Sequence, residues 1–97
     1  MSRPLSSESV YRAIADPTRR RMLDLLRTGE RPVAELMAPF KLKPPVVSYH
    51  LQVLREAGLV RQRRRGVHRI YTIDANRLRV ATAWLTRFQP GAFAATP

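Results

Sequence analysis

Proline and glycine cut the first two thirds of this chain into short pieces, and that punctuation limits what it can fold into. Pro17, Pro32, Pro39 and the Pro44-Pro45 pair lack the N–H that a helix interior needs, but each can open a helix, where that N–H has no partner anyway. Gly29, Gly58 and Gly66 stand where pieces should end or turn. The chain is therefore expected to form several short helices followed by a tight hairpin. A long helix or a broad sheet is excluded before Gly66.

Filling the pieces gives the order of elements. Ser6 reads as the N-cap of a first helix, with Leu5 and Val10 as a hydrophobic staple, and Val10, Tyr11, Ala13 and Ile14 share its apolar side until it ends near Ala15. Asp16 caps a second helix opened by Pro17, in which Met22, Leu23, Leu25 and Leu26 fall on one arc and Arg20, Asp24 and Arg27 opposite; Thr28-Gly29 ends it. Pro32 opens a short third helix, Val33 to Met37, stopped by Pro39. Pro44-Pro45 opens a fourth that runs to about Ala57, with Gly58 at its C′ position. The short turn between them makes a helix-turn-helix candidate. After Gly58 the period changes: residues 59–64 and 68–73 flank Arg65-Gly66-Val67 as a two-stranded hairpin. Asp74 or Asn76 caps a last helix reaching about Phe88, striped by Leu78, Ala81, Trp84, Leu85 and Phe88. The fold expected is mainly α with a β-hairpin wing and about five helices, a single domain over residues 1–88 with a flexible tail over 89–97.

Charge then sorts the pieces. The chain of 97 residues has a formal charge of +11. Residues 1–40 carry net +2, residues 41–70 net +7 with Glu56 as their single acid, and residues 71–97 net +2. An arginine-rich genome would explain 16 Arg to 2 Lys, but not the near absence of acids from one third. A polyanionic partner is expected there. With no cysteine, disulfides, thiolate metal sites and Cys nucleophiles are excluded. No apolar run reaches the roughly 18 residues of a membrane span, and Met1-Ser2-Arg3-Pro4 opens no signal peptide, so a soluble, cytoplasmic protein without membrane contact is expected.

The fourth helix and the hairpin hold the candidate contacts. On a helical wheel Val46, Val47, Leu51, Val53, Leu54 and Ala57 form an apolar arc, and Pro45, Ser48, Tyr49, Gln52, Arg55 and Glu56 fill the rest. Ser48, Tyr49 and Gln52 can donate to or accept from base edges in a major groove, while Lys41 and Lys43 before the helix can hold phosphates. Taken alone this face could equally be solvated and bind nothing. Five arginines within residues 61–69, with no acid among them, repel one another unless an anion is present. They favour a nucleic-acid contact.

Three stretches, Ala15-Asp16-Pro17-Thr18-Arg19-Arg20-Arg21-Met22-Leu23-Asp24-Leu25-Leu26, Val47 through Val60, and Gly66-Val67-His68-Arg69-Ile70-Tyr71, resemble in order the ArsR-type winged helix-turn-helix repressors of bacteria and archaea. The resemblance covers residues 10–88. It implies a homodimer paired through its first and last helices, here Val10, Ile14, Leu78, Ala81, Trp84, Leu85 and Phe88, that binds an inverted-repeat operator in duplex DNA and represses transcription, often of its own operon. The apolar stripe could also be plain core. On this reading Ser48, Tyr49 and Gln52 read bases, Pro45 lies on the contact face, Lys43 and Arg55 hold flanking phosphates, and Arg63, Arg64, Arg65 and Arg69 set the wing on the backbone or minor groove.

Two departures from the family pattern matter. Lys41 and Lys43 stand where a Gly and a capping Ser or Thr are common, which weakens the cap by about 1 kcal/mol but adds charge. The family's metal sensors use Cys pairs, or Asp, His and Glu sets on the last helix, and this chain has neither. His50, in the apolar arc, reads as a packed, hydrogen-bonded residue and His68 as a strand residue. No metal or other cofactor is expected, and an unidentified small molecule or protein would be the effector, if any. An RNA-binding winged helix is the alternative, though Tyr49 is the one good stacking aromatic on the contact face. An enzyme is not expected: Ser48 and His50 point to different faces of one helix and cannot form a nucleophile–base pair.

Overall fold

The computed structural model describes residues 7–88, so the Leu5-Ser6 start and the 89–97 tail lie outside the described residues. Helix α1 is Ser7–Ile14, α2 Pro17–Leu26, α3 Val33–Met37, α4 Pro44–Glu56 and α5 Arg79–Thr86; strands are β1 Arg31–Pro32, β2 Val60–Arg65 and β3 His68–Ile73. This is the winged helix-turn-helix architecture, with α3 and α4 as the helix pair and β2–β3 as the wing.

The α1–α2 corner follows from three polar side chains. The Asp16 carboxylate accepts from the Arg19 backbone N–H at 3.0 Å, a side-chain N-cap on α2 with Pro17 at the first helical position. The Arg19 side chain, only 8% exposed, turns back to the end of α1, where Nε donates to the Ala13 carbonyl at 2.8 Å and Nη2 to the Arg12 carbonyl at 3.0 Å. Arg20 Nη1 donates to the next two carbonyls, Ile14 at 2.9 Å and Ala15 at 3.1 Å. The end of α1 thus receives donors and positive charge from α2, which satisfies carbonyls that the helix cannot and suits its dipole. The third nitrogen, Arg19 Nη1, lies 3.1 Å from His50 Nδ1 on α4. One guanidinium joins three helices.

Apolar faces close around this junction. Val10 and Ala13 of α1, Met22, Leu23 and Leu26 of α2, Leu36 of α3, and Val47, Leu51 and Leu54 of α4 form one buried cluster with Ala57 at the C-cap of α4 and with Leu59, Val60, Tyr71 and Ala81. Helix α4 ends in a Schellman motif: the Leu59 N–H donates to the Leu54 carbonyl and the Gly58 N–H to the Arg55 carbonyl. Gly58 has φ 76°, and Leu54 and Leu59 are both fully buried beside it. The chain leaves α4 at a fixed angle and enters β2.

Several expectations need correction. The sheet has three strands in the order β1-β3-β2, because Arg31 pairs with Tyr71 and Pro32 with Ile70 along the free edge of the hairpin. Two residues, one without an N–H, carry no periodic signal, and an edge is where a strand tolerates proline. The hairpin turn is the two residues Gly66-Val67, since Arg65 and His68 already pair; φ is positive at Gly66 alone, as in a type II′ turn. The last helix divides: Asp74 caps a 3₁₀ turn over Ala75–Leu78, accepting from the Asn76 N–H, before α5 begins. Val46, placed in the apolar arc of α4, is 40% exposed because the first turn of that helix overhangs the core and Val47 is its first buried residue. Val10 and Ala81, assigned to a subunit interface, are 0% and 3% exposed and are consumed by the chain's own core.

Replacing Arg19 with Met strands two inward carbonyls and should cost about 2–4 kcal/mol in denaturant unfolding, against under about 1 for the exposed Arg20→Met. Equal losses would refute the buried junction. Burial raises the Asp16 pKa, but the Arg19 N–H bond and the charge of Arg19 outweigh it, so the carboxyl titrates below the usual 3.8. Its stabilisation is complete above that value and disappears as pH falls through the lower, folded-state value. An Asp16→Asn variant should therefore lose part of the acid-induced decline in stability.

Candidate nucleic-acid interface

The overhanging first turn of α4 makes a projecting surface. Lys41, Leu42, Lys43, Pro44, Pro45 and Val46 are all exposed, followed by Ser48 and Tyr49, the latter at 59%. The turn before them is anchored by Phe40, half-buried with the Arg21 guanidinium 5.2 Å from its ring centre. Lys43 occupies the N-cap position with extended backbone and no side-chain cap bond, and none is needed: Pro44 and Pro45 have no N–H, and the Val46 and Val47 N–H groups both donate to the Lys43 carbonyl, at 2.9 and 3.2 Å. Gln52 and Arg55 continue this face one and two turns on. In the free chain Gln52 Nε2 donates to Glu56 Oε2 at 3.2 Å, a solvent-exposed bond that a base edge could replace. Val46 was not singled out in the sequence, where its period places it with the core; it is exposed one helical turn before Tyr49 and offers an apolar contact of the kind a thymine methyl takes.

His50 is half-buried and bonded to Arg19, and its ring lies 5.5 Å from that of Tyr49. It supports the exposed face and does not belong to it. His68 is exposed at the start of β3, across from Arg65.

The wing divides its arginines by strand parity. Direct pairing of Gln62 with Tyr71, Arg64 with Arg69 and Val60 with Ile73 puts these six side chains on the face that packs toward α4. Arg61, Arg63 and Arg65 point the other way, toward acids the sequence places far from them. Arg63 Nη2 lies 2.6 and 2.7 Å from the two carboxylate oxygens of Glu30, Arg65 reaches the same carboxylate at 3.5 Å, and Arg61 donates twice to Asp74. The Arg63 bond holds the Glu30 carboxyl below the ordinary range, with the Arg63 and Arg65 charges adding to it. At Asp74 the Asn76 N–H does so first, then Arg61. The five-arginine finger is thus less repulsive than its composition suggests. Glu30 was missed because it is 33 residues from Arg63 in sequence and becomes adjacent only when β1 adds to the sheet.

Between α4 and the wing lies an open cleft of about 1070 Å³, bordered by Ser48, Gln52 and Arg55 on one side and Gln62 and Arg69 on the other. Elsewhere on the surface α5 and α1 present an aromatic cluster. Tyr11 donates to the Val80 carbonyl and meets Trp84 edge-on at 6.1 Å, and Trp84 lies 4.8 Å from Phe88. Trp84, Leu85 and Phe88 are 47%, 55% and 59% exposed, while Ile14 and Leu78 are half-buried beside them.

Comparison with known proteins agrees with this geometry. Residues 16–62 match the family described as bacterial regulatory proteins of the arsR family. The chain is 32% identical to the transcriptional repressor SdpR of Bacillus subtilis over 80 residues, spanning 82% of this chain and 89% of that one. It is 38% identical over 88 residues to a helix-turn-helix transcriptional regulator of Mycobacterium tuberculosis, covering 91% of this chain and 82% of the relative. A crystal structure of an ArsR family transcriptional regulator superposes with a TM-score of 0.78 at 33% identity, over 84% of this chain and 90% of that one.

The start of α4 is testable without any ligand. The hydroxyl of Lys43→Ser would find only the Val46 N–H, already bonded to the residue-43 carbonyl, so the change should move stability by under about 0.5 kcal/mol, read as a nearly level thermal midpoint. A gain of about 1 kcal/mol or more would mean that the Pro44-Pro45 turn still needs a cap.

Proposed function

The chain belongs to the ArsR family of bacterial regulatory proteins and is a DNA-binding transcriptional regulator, and from that premise we propose that it acts as a homodimeric repressor on an inverted-repeat operator. The observation that carries the dimer is the exposed Trp84, Leu85 and Phe88 on a chain whose core is already filled. Large apolar side chains side by side on a small domain suit a second copy of the same surface better than water. Tyr11, Ile14 and Leu78 border the patch, so pairing runs through α1 and α5, as the family resemblance implies.

On each protomer Ser48, Tyr49 and Gln52, with Val46, enter a major groove, and Lys41 and Lys43 take phosphates beside it. Pro45 fixes the first turn against the backbone. The wing follows the same strand. SdpR, the relative from Bacillus subtilis, is named as a repressor, which favours repression over activation here. Sensing through thiols is excluded by the absence of cysteine, and His50 Nδ1 is already held by Arg19. We infer that neither metals nor oxidants regulate this member, and that Zn²⁺ or arsenite should leave its affinity for DNA unchanged.

Selection from a random duplex pool near 150 mM salt should enrich an inverted repeat with half-site centres about 10 to 11 base pairs apart or a small multiple. The log–log salt slope should be about −5 to −9, for six to ten phosphates neutralised by the dimer. Preference for structured RNA over that duplex would overturn the reading. Tyr49→Ala should abolish operator preference and keep nonspecific binding. Trp84→Asp should give a folded monomer by sedimentation; a dimer surviving that change would remove the α5 interface.

A further inference from the structure

A notch of about 390 Å³ opens where the end of α4 meets the wing, lined by Arg55, Gln62, Arg63, Arg64 and Arg69. Among the described residues no carboxylate borders it. Arg63 contributes to the wall, but its guanidinium is held by Glu30. Arg64 and Arg69 are direct cross-strand partners on the face toward α4, and neither of them, nor Arg55, has an ion pair among the described residues. Like charges opposite one another on a sheet are destabilising. The acids that neutralise the other face of the wing, Glu30 and Asp74, lie behind it and leave this pair uncompensated.

We propose that Arg55, Arg64 and Arg69, with the Gln62 amide, form a binding site for a single phosphoryl group, and that in the DNA complex one backbone phosphate per half-site occupies it. The second part rests on the DNA-binding reading above. A tetrahedral phosphate offers several acceptor oxygens to guanidinium forks converging from two elements, and charge-assisted bonds of this kind are the strong ones. Its arrival relieves the Arg64–Arg69 repulsion and ties the wing to the recognition helix, so the spacing of the two elements becomes fixed on DNA. Of the wing arginines, only the pair facing α4 neutralises phosphate; Arg63 and Arg65 brace the hairpin through Glu30.

The test uses the full chain and its selected operator, first with each phosphate in turn replaced by an uncharged methylphosphonate. Wild type should lose about tenfold or more in affinity at one symmetric pair of positions. Arg64→Gln and Arg69→Gln should each lose a similar factor on unmodified DNA and no more when that pair is neutralised, while their thermal midpoints stay level or rise. Arg63→Gln and Arg65→Gln should keep the interference pattern and lower the thermal midpoint instead. If Arg64→Gln and Arg69→Gln bind operator as wild type does, or keep the full methylphosphonate penalty, the site is refuted and the DNA-binding reading stands. A second arm titrates inorganic phosphate at constant ionic strength and follows the arginine Nε–H resonances. Shifts confined to Arg55, Arg64 and Arg69 in a chain that binds no duplex would keep the phosphoryl site with free phosphate as its ligand and overturn the DNA reading. No shifts and no DNA binding would overturn both.

Discussion

The Arg19 guanidinium is the contact on which the rest of the structure depends. Each of its three nitrogens goes to a different acceptor: Ala13 and Arg12 at the end of α1, and His50 on α4. Burying an arginine is expensive unless every donor finds a partner. With each nitrogen bonded in this way, the group becomes a constraint on geometry, since turning α1 or α4 against α2 would break at least one of these three bonds. Its backbone N–H is held in turn by Asp16, so the residue that starts α2 also aims the side chain that ends α1. The apolar cluster supplies most of the burial, but van der Waals packing alone would tolerate a helix rotated by a few degrees.

That orientation reaches the exposed face of α4 through short paths. His50 is flanked by Tyr49, and Val47 and Leu51 lock the same turn into the core, so the exposed side chains of α4 stand on a rigid base. At the other end of α4, the Schellman turn through Gly58 delivers the chain into β2 and sets where the wing emerges. Charge placement then separates two roles along one hairpin. The arginines on the rear face meet Glu30 and Asp74 and stiffen the sheet; those facing α4 have no ion pair among the described residues. A composition of net +7 across residues 41–70 is thereby compatible with a stable free protein.

Much of this was legible in the sequence, for identifiable reasons. Asp16-Pro17, Pro44-Pro45 and Gly58 mark helix ends because proline and glycine act through their own backbone geometry, whatever surrounds them. The buried sets of α2 and α4 were legible because a period of 3.6 shows which residues share a side. Periodicity failed at Val46, since it cannot show where a helix leaves the core. It failed also at β1, whose two residues are a strand only because the β3 edge is there to accept them. For the α1 and α5 stripe, periodicity left subunit interface and core both open; the structure divides it between the core, Val10 and Ala81, and solvent, Trp84, Leu85 and Phe88.

By itself the sequence determined the local chemistry: the order of elements, the helix ends, the excess charge between residues 41 and 70, and the absence of any thiol. These depend on neighbours within a few positions along the chain. Tertiary structure alone decided which of many similar arginines does what. Arg19 is buried, Arg63 and Arg65 are paired with Glu30, and Arg64 and Arg69 are left opposed, although all five are the same residue in similarly basic stretches. The reason is physical: ion pairing falls off within a few ångströms, and the carboxylates and carbonyls that select among these guanidinium groups come close only when the fold brings distant segments together.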